Sequence, residues 1–167
     1  MKKINSTIIA LLILFILSCS KQEYTENGIS EIVQRTDSLL TNLAGQKYDW
    51  ASAKAYSTVL AFYPEPDIIF LNENLTYRRA AEAFNLYYFK DGNLIHFIGK
   101  KLEYFPKNIK NTKKQMTKLM LNLDSDGDVI SYQNIVNGKL LNLDDSELED
   151  VLTHAKELYY QVGDKEE

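Results

Sequence analysis

Three dipeptides, Asp91-Gly92, Asp126-Gly127 and Asn137-Gly138, each lie between short apolar runs. Such pairs tolerate the positive φ angles at the centre of a tight hairpin turn, which most residue pairs resist. Three of them in one half of a chain make successive segments run antiparallel. Leu86 to Phe89 is expected to pair with Leu94 to Ile98, and Met120 to Leu123 with Val129 to Ile135, while Leu140 to Leu143 follows the third turn. Upstream, Ala55 to Tyr63 and Ile68 to Leu71 read as strands separated by Pro64 and Pro66. Leu86 to Phe97 lines up with Leu121 to Tyr132. Two copies are too few for a solenoid, so they read as two successive hairpins of one meander. Thr76 to Phe84 stays open between helix and strand, because Arg78, Ala80, Ala81 and Ala83 favour a helix but the stretch is short.

Helices are expected at both ends of this β region. Ile29, Ile32, Val33, Leu39, Leu40 and Leu43 recur at helical spacing, and Gly45 follows as a stop, which predicts one amphipathic helix over Ile29 to Ala44. Leu148, Val151, Leu152, Ala155, Leu158 and Val162 form a second apolar stripe that ends at Gly163. Asp144 and Glu147 have the spacing of a capping box, and Leu143 and Leu148 that of the hydrophobic staple around it. The fold class that follows is α+β: an antiparallel meander of five to six strands packed against an N-terminal and a C-terminal helix, both on one face.

The first residues carry an address. Lys2 and Lys3 precede an apolar run, Ile8 to Leu17, which ends in Ile16-Leu17-Ser18-Cys19. This resembles the lipobox of bacterial lipoproteins. The resemblance implies cleavage after Ser18, lipidation of Cys19 and a mature chain that starts at Cys19. The alternatives are an ordinary secretory signal and an uncut anchor, although Ile8 to Leu17 is shorter than the ~20 apolar residues a membrane helix needs. Ser20, rather than Asp, follows the cysteine. By analogy with lipoproteins of double-membrane bacteria this points to the outer membrane, on its periplasmic or its surface side. Tyr-Tyr-Phe-x-Asp-Gly-x-Leu, Tyr87 to Leu94, is similar to the β-meanders of small Bacteroidota lipoproteins and implies no activity. The organisation read from these features is a signal peptide over 1–18, a lipidated tether over 19–27 and a single α+β domain over 28–167.

Charge and cysteine content narrow the partners. The chain has 19 basic and 23 acidic residues, a net charge of −4, and losing Lys2 and Lys3 with the signal makes it more negative. Nucleic acid is therefore not an expected partner. The charge is uneven: lysines crowd Lys100 to Lys118, read here as a solvated hairpin loop, and acids crowd the C-terminal helix, whose N-terminal dipole favours them. Cys19 is the only cysteine, so no intrachain disulfide forms.

No segment spells out a reaction. Asp124-Ser125-Asp126-Gly127-Asp128 has calcium-loop composition, but glycine falls at the fourth position and Ile135 stands where the bidentate acid belongs, so a hairpin turn is expected. The only histidines, His96 and His154, are too few for a closed zinc site without carboxylates from elsewhere. There is no nucleophile elbow, phosphate loop or dinucleotide fingerprint. The chain reads as a non-enzyme without cofactor or metal.

Aromatic residues are the remaining signal. Tyr87 and Tyr88 are neighbours on a strand and point to opposite faces, so with both helices on one face one of them is left uncovered. Tyr87, Tyr88 and Phe97 are the expected binding surface. The expectation is a lipid-anchored envelope protein that binds another protein as an inhibitor, immunity factor or assembly accessory. The alternative is a module that binds glycan or a small ligand in a Tyr-lined groove.

Overall fold

The computed structural model describes residues 24–52, 54–64, 67–78, 81–108 and 111–163. The signal segment and Cys19 lie outside the described residues. A first helix, α1, spans Glu26–Leu40. Eight strands follow: β1 Gln46–Ala51, β2 Ala55–Phe62, β3 Phe70–Tyr77, β4 Ala81–Lys90, β5 Asn93–Asn108, β6 Asn111–Leu123, β7 Val129–Val136 and β8 Lys139–Leu141. A second helix, α2, spans Asp145–Gly163. The strands form one antiparallel sheet in chain order, each paired with its sequence neighbour. Among the described residues no helix is long and apolar enough to cross a membrane.

The α+β class and the flanking helices are as expected, but the sheet has eight strands, not five or six. Gln46–Ala51 is polar and gave no strand signal, yet Tyr48 turns inward and is buried. Thr76 and Tyr77, and Ala81 to Phe84, are strand: β3 and β4 pair there, with Leu75 opposite Ala83 and Tyr77 opposite Ala81. Pairing to neighbours on both sides outweighs the local helix preference of the alanines. The described residues of the lysine-rich stretch are strand, the long β5–β6 ladder in which Lys100 faces Lys118 and Tyr104 faces Lys114.

Turn chemistry explains two of the hairpins directly. Asp91 and Gly92 have φ of 51° and 77°, and Asn137 and Gly138 have 50° and 80°, the doubly positive geometry that matches strand twist. Around Gly127 the connection is longer. Asp124 Oδ1 accepts from the amides of Asp126 at 2.8 Å and Asp128 at 2.9 Å, so this carboxylate closes the turn on itself.

The helices cover opposite faces of the sheet, not one. Ile29, Ile32 and Val33 of α1 pack with Phe70, Tyr88 and Ile95. Ala155, Leu158 and Val162 of α2 pack with Leu71, Tyr87, Phe97 and Leu121. Each fully buried side chain such as Ile29 or Val162 contributes roughly 1.5–3 kcal/mol. Phe70 and Leu71, like Tyr88 and Tyr87, are adjacent and feed different cores because successive strand residues alternate faces. At the β4–β5 pairing the register shifts beside Tyr88, where His96 and Leu94 pair with Tyr88 and Phe89 and Ile95 is the extra residue.

α1 starts at Glu26 because Thr25 caps it, accepting from the Gly28 amide at 3.2 Å. The stretch expected to be a tether through Asn27 is thus folded from Tyr24, which is buried. The helix stops at Leu40, earlier than expected. Gly45 has another role: a Cβ there would stand 2.7 Å from the Phe62 ring, so glycine lets β1 begin against that ring. Asp144 caps α2 as expected, accepting from the Ser146 amide at 2.9 Å. The return arm of the capping box is absent, since Glu147 accepts from Asn134 Nδ2 at 3.0 Å instead.

Candidate functional site

On the α2 side the sheet is only partly covered. Beyond the packed core, inward positions on three of the strands turn small: Ala55 and Ser57 on β2, Ala83 on β4, Gly99 on β5, with Glu73, Leu75 and Tyr77 of β3 between. A cleft of about 650 Å³ opens above them. Small-molecule sites occupy on the order of 300–1,000 Å³. Trp50, Leu75, Tyr77, Tyr87, Phe97 and Leu119 supply apolar and aromatic walls, and Glu147, Asp150, Val151 and His154 of α2 form the facing side. Gly99 keeps the floor low. A Cβ there would lie 2.7 Å from Phe97 Cζ and 3.2 Å from Asn85 Oδ1, so the Phe97 ring rests over the glycine.

A buried carboxylate stands at the base of the cleft. Glu73 is fully inaccessible on β3, between Leu71 and Leu75. Its Oε1 accepts from Ser57 Oγ at 2.8 Å. Its Oε2 accepts from Tyr87 OH at 2.9 Å and Asn85 Nδ2 at 3.1 Å. His154 Nε2 reaches the same carboxylate at 2.9 and 3.1 Å. A buried carboxylate persists only when its oxygens are satisfied in this way.

The four partners set the charge state. Burial pushes the Glu73 carboxyl up, but hydrogen bonding and attraction from His154, with help from Ser57 and Asn85, more than offset it and hold the group below its ordinary value. Burial pulls His154 down, and the bond and charge of Glu73 reverse that and raise it. Each group of the pair thus favours the charged form of the other, with Glu73 inaccessible and the His154 side chain 39% exposed. Burial, then the neighbouring Glu73 charge, pushes Tyr87 well above its usual range, so its hydroxyl stays a donor.

The connectivity matters for chemistry. In a hydrolytic triad the imidazole touches the nucleophile and the carboxylate orients the imidazole. Here Ser57 donates to Glu73, so the carboxylate lies between the hydroxyl and the imidazole. That arrangement orients His154 through Glu73, and Ser57 meets the carboxylate rather than the imidazole.

The expected surface residues divide between the faces. Tyr87 and Phe97 line the cleft, with ring centroids 5.2 Å apart. Tyr88 lies under α1, donates to Asp37 Oδ1 at 3.0 Å and meets Phe70 edge-on at 4.8 Å. All three are buried, with 1%, 4% and 4% exposure for Tyr87, Tyr88 and Phe97. They form no exposed aromatic face, because a helix covers each side. His96 is on the α1 side, its Nδ1 2.6 Å from Asn122 Oδ1, and burial holds it below its ordinary value. The two histidines thus occupy opposite faces, and no group of three His, Cys, Asp or Glu that could hold a metal ion occurs among the described residues.

Glu73 escaped the sequence reading. Its signal was an acid at the inward position between Leu71 and Leu75, visible only once the strand is extended to Tyr77. Compared with protein-family models, curated proteins and solved structures, the chain finds no match in any of the three.

Proposed function

We propose that this chain is a lipid-anchored envelope protein that binds a small, largely apolar ligand in the cleft between α2 and the sheet. The observation that carries the reading is the unfilled floor. Ala55, Ser57, Ala83 and Gly99 leave open a space that larger side chains would close. Close packing is the rule in protein interiors, so a sheet face kept open beside a tightly packed core is suited to a guest. The lipobox residues Ile16 to Cys19 support lipidation at Cys19 and placement at the outer membrane. The role is binding without catalysis, which the order Ser57–Glu73–His154 favours, and no cofactor enters it.

Association with an envelope protein is the second reading. It is favoured by the outer edge of the sheet, where Leu140 and Leu141 of β8 are 73% and 51% exposed. That edge is narrow, and the cleft is the better defined feature.

Isolation of the full chain from its native envelope, followed by denaturation and mass spectrometry of released small molecules, tests the first reading. One recurrent apolar compound, lost in an Ala83→Phe variant that fills the floor, is the expected result. Equal recovery from the filled variant, or no compound at all, would sink it.

A further inference from the structure

We infer that the cleft takes an apolar monocarboxylate, an aliphatic or aromatic acid whose carboxylate meets the free edge of the His154 imidazole while its body lies along the wall of Trp50, Tyr77 and Phe97. This deepens the ligand-binding reading and rests on it. Most polar groups at the base of the cleft are already engaged. The Glu73 oxygens accept from Ser57, Tyr87, Asn85 and His154, so this acid has little left to offer a guest. Asn85 Nδ2 is shared between Glu73 and Tyr87 OH, at 3.1 and 3.2 Å. Those groups hold the base of the site together and leave the choice of ligand to others.

His154 is different. Both of its contacts with Glu73 run through Nε2, and among the described residues its Nδ1 has no hydrogen bond. When the ring is protonated against Glu73, both nitrogens carry an N–H, and Nδ1 is then a charged donor on a residue that lines the cleft. Donors of that kind select an anionic acceptor, because an apolar or cationic guest leaves the imidazolium poorly solvated. The surrounding charges are mixed, and Glu157 on the same helix also acts on His154. Lys100 and Lys101 stand on the cleft wall, Lys101 bridged to Glu103 at 2.9 Å. Glu147 is tied to Asn134, and Asp150, Lys100 and Lys101 are all exposed, where solvent and salt screen them alike and leave the choice of head group to His154. Trp50, Tyr77 and Phe97 then supply the apolar contact that a bare inorganic anion would waste.

The chain carries its own reporter, since Trp50 is its only tryptophan and lines the cleft. The full chain, with Cys19→Ser to keep it free of attached lipid, is titrated with decanoate, decan-1-ol and decyltrimethylammonium while Trp50 fluorescence is followed. These share one tail and differ in head group. The expected result is saturable binding of decanoate at least about tenfold tighter than of the other two, and a roughly 10- to 100-fold loss for decanoate alone in His154→Gln. Equal or tighter binding of the alcohol or the ammonium overturns the head-group assignment and leaves the cleft as a ligand site. Absence of binding by all three overturns the ligand-binding reading itself. The head-group comparison needs no variant, so it stands even where His154→Gln loosens α2.

Discussion

His154 of α2 and Glu73 of β3, 81 positions apart, share a charged hydrogen bond of 2.9 Å at the base of the cleft. It is a polar link between the C-terminal helix and the sheet, as Asn134–Glu147 is nearer the helix start, and it lies where the apolar packing of Ala155, Leu158 and Val162 gives way to the open floor. Its partners are unequal: Glu73 is inaccessible, whereas His154 is partly solvated.

Removing the imidazole leaves that carboxylate buried without its counter-charge. Breaking a fully buried pair costs about 3–5 kcal/mol, and solvation of His154 reduces the figure here to about 1–3 kcal/mol. His154→Ala is expected to lower the unfolding free energy measured in urea by that amount. Glu73→Gln, which removes the buried charge as well, is expected to cost less. The reverse order in denaturant titrations contradicts the assigned charge state.

The pair also fixes a pH window. The raised His154 contributes stability that is fully present below the ordinary imidazole value of 6.5 and is lost as pH rises through its higher native value. The lowered Glu73 contributes stability present above 4.5 and lost as pH falls through its native value. Both are complete only between those limits. His96, held down by burial, acts the other way and weakens the fold on acidification. The stability gap between the native chain and His154→Gln isolates the pair. It is expected to be larger at about pH 5.5 than at about pH 9, and a gap independent of pH contradicts this.

On the opposite face, Tyr88 ties the sheet to α1 through Asp37. Tyr88→Phe deletes this bond to a charged acceptor without changing the ring, and a loss of about 1–2 kcal/mol is expected. A double-mutant cycle with Asp37→Asn checks it: the two losses should not add, since they remove one interaction.

Gly99 tests the floor of the cleft. Gly99→Ala places a methyl 2.7 Å from Phe97 Cζ, so the ring must lift from the sheet. Overpacking of this kind costs about 1–3 kcal/mol. The ring moves into the cleft or against Tyr87, and Trp50 emission in the ligand-free chain should shift. Unchanged stability and unchanged emission show that the ring has room the geometry denies it.

Lipidation is tested at one residue. Cys19→Ser is expected to abolish incorporation of labelled fatty acid and to release the chain from the membrane fraction. Retention of label by the serine variant removes the basis for an anchor at this position.

The hairpins and the two helices were legible because their causes are local. Asp91-Gly92 and Asn137-Gly138 meet a backbone requirement within two residues, and the apolar stripes of α1 and α2 repeat within each helix. The sheet was harder to count. β1 has few apolar residues, the β3–β4 turn is masked by alanines, and the β5–β6 ladder is masked by lysines. The coverage of both faces did leave a trace: Leu86-Tyr87-Tyr88-Phe89 and Leu94-Ile95-His96-Phe97 are nearly unbroken apolar runs, where a half-solvated strand would alternate.

By itself, the amino-acid sequence determined the antiparallel hairpins, the two amphipathic helices with the cap of the second, and the α+β class, since each follows from spacing within a few residues. The tertiary structure alone decided which face each helix covers, and with it the fate of the aromatics. It buried Tyr88 under α1, set Tyr87 and Phe97 at the base of a cleft under α2, and brought His154 to Glu73. Side-chain alternation states that neighbours face apart and a helical stripe states that one side is buried, but neither says which two surfaces meet. That choice belongs to packing across the whole sheet, where residues 81 positions apart become neighbours.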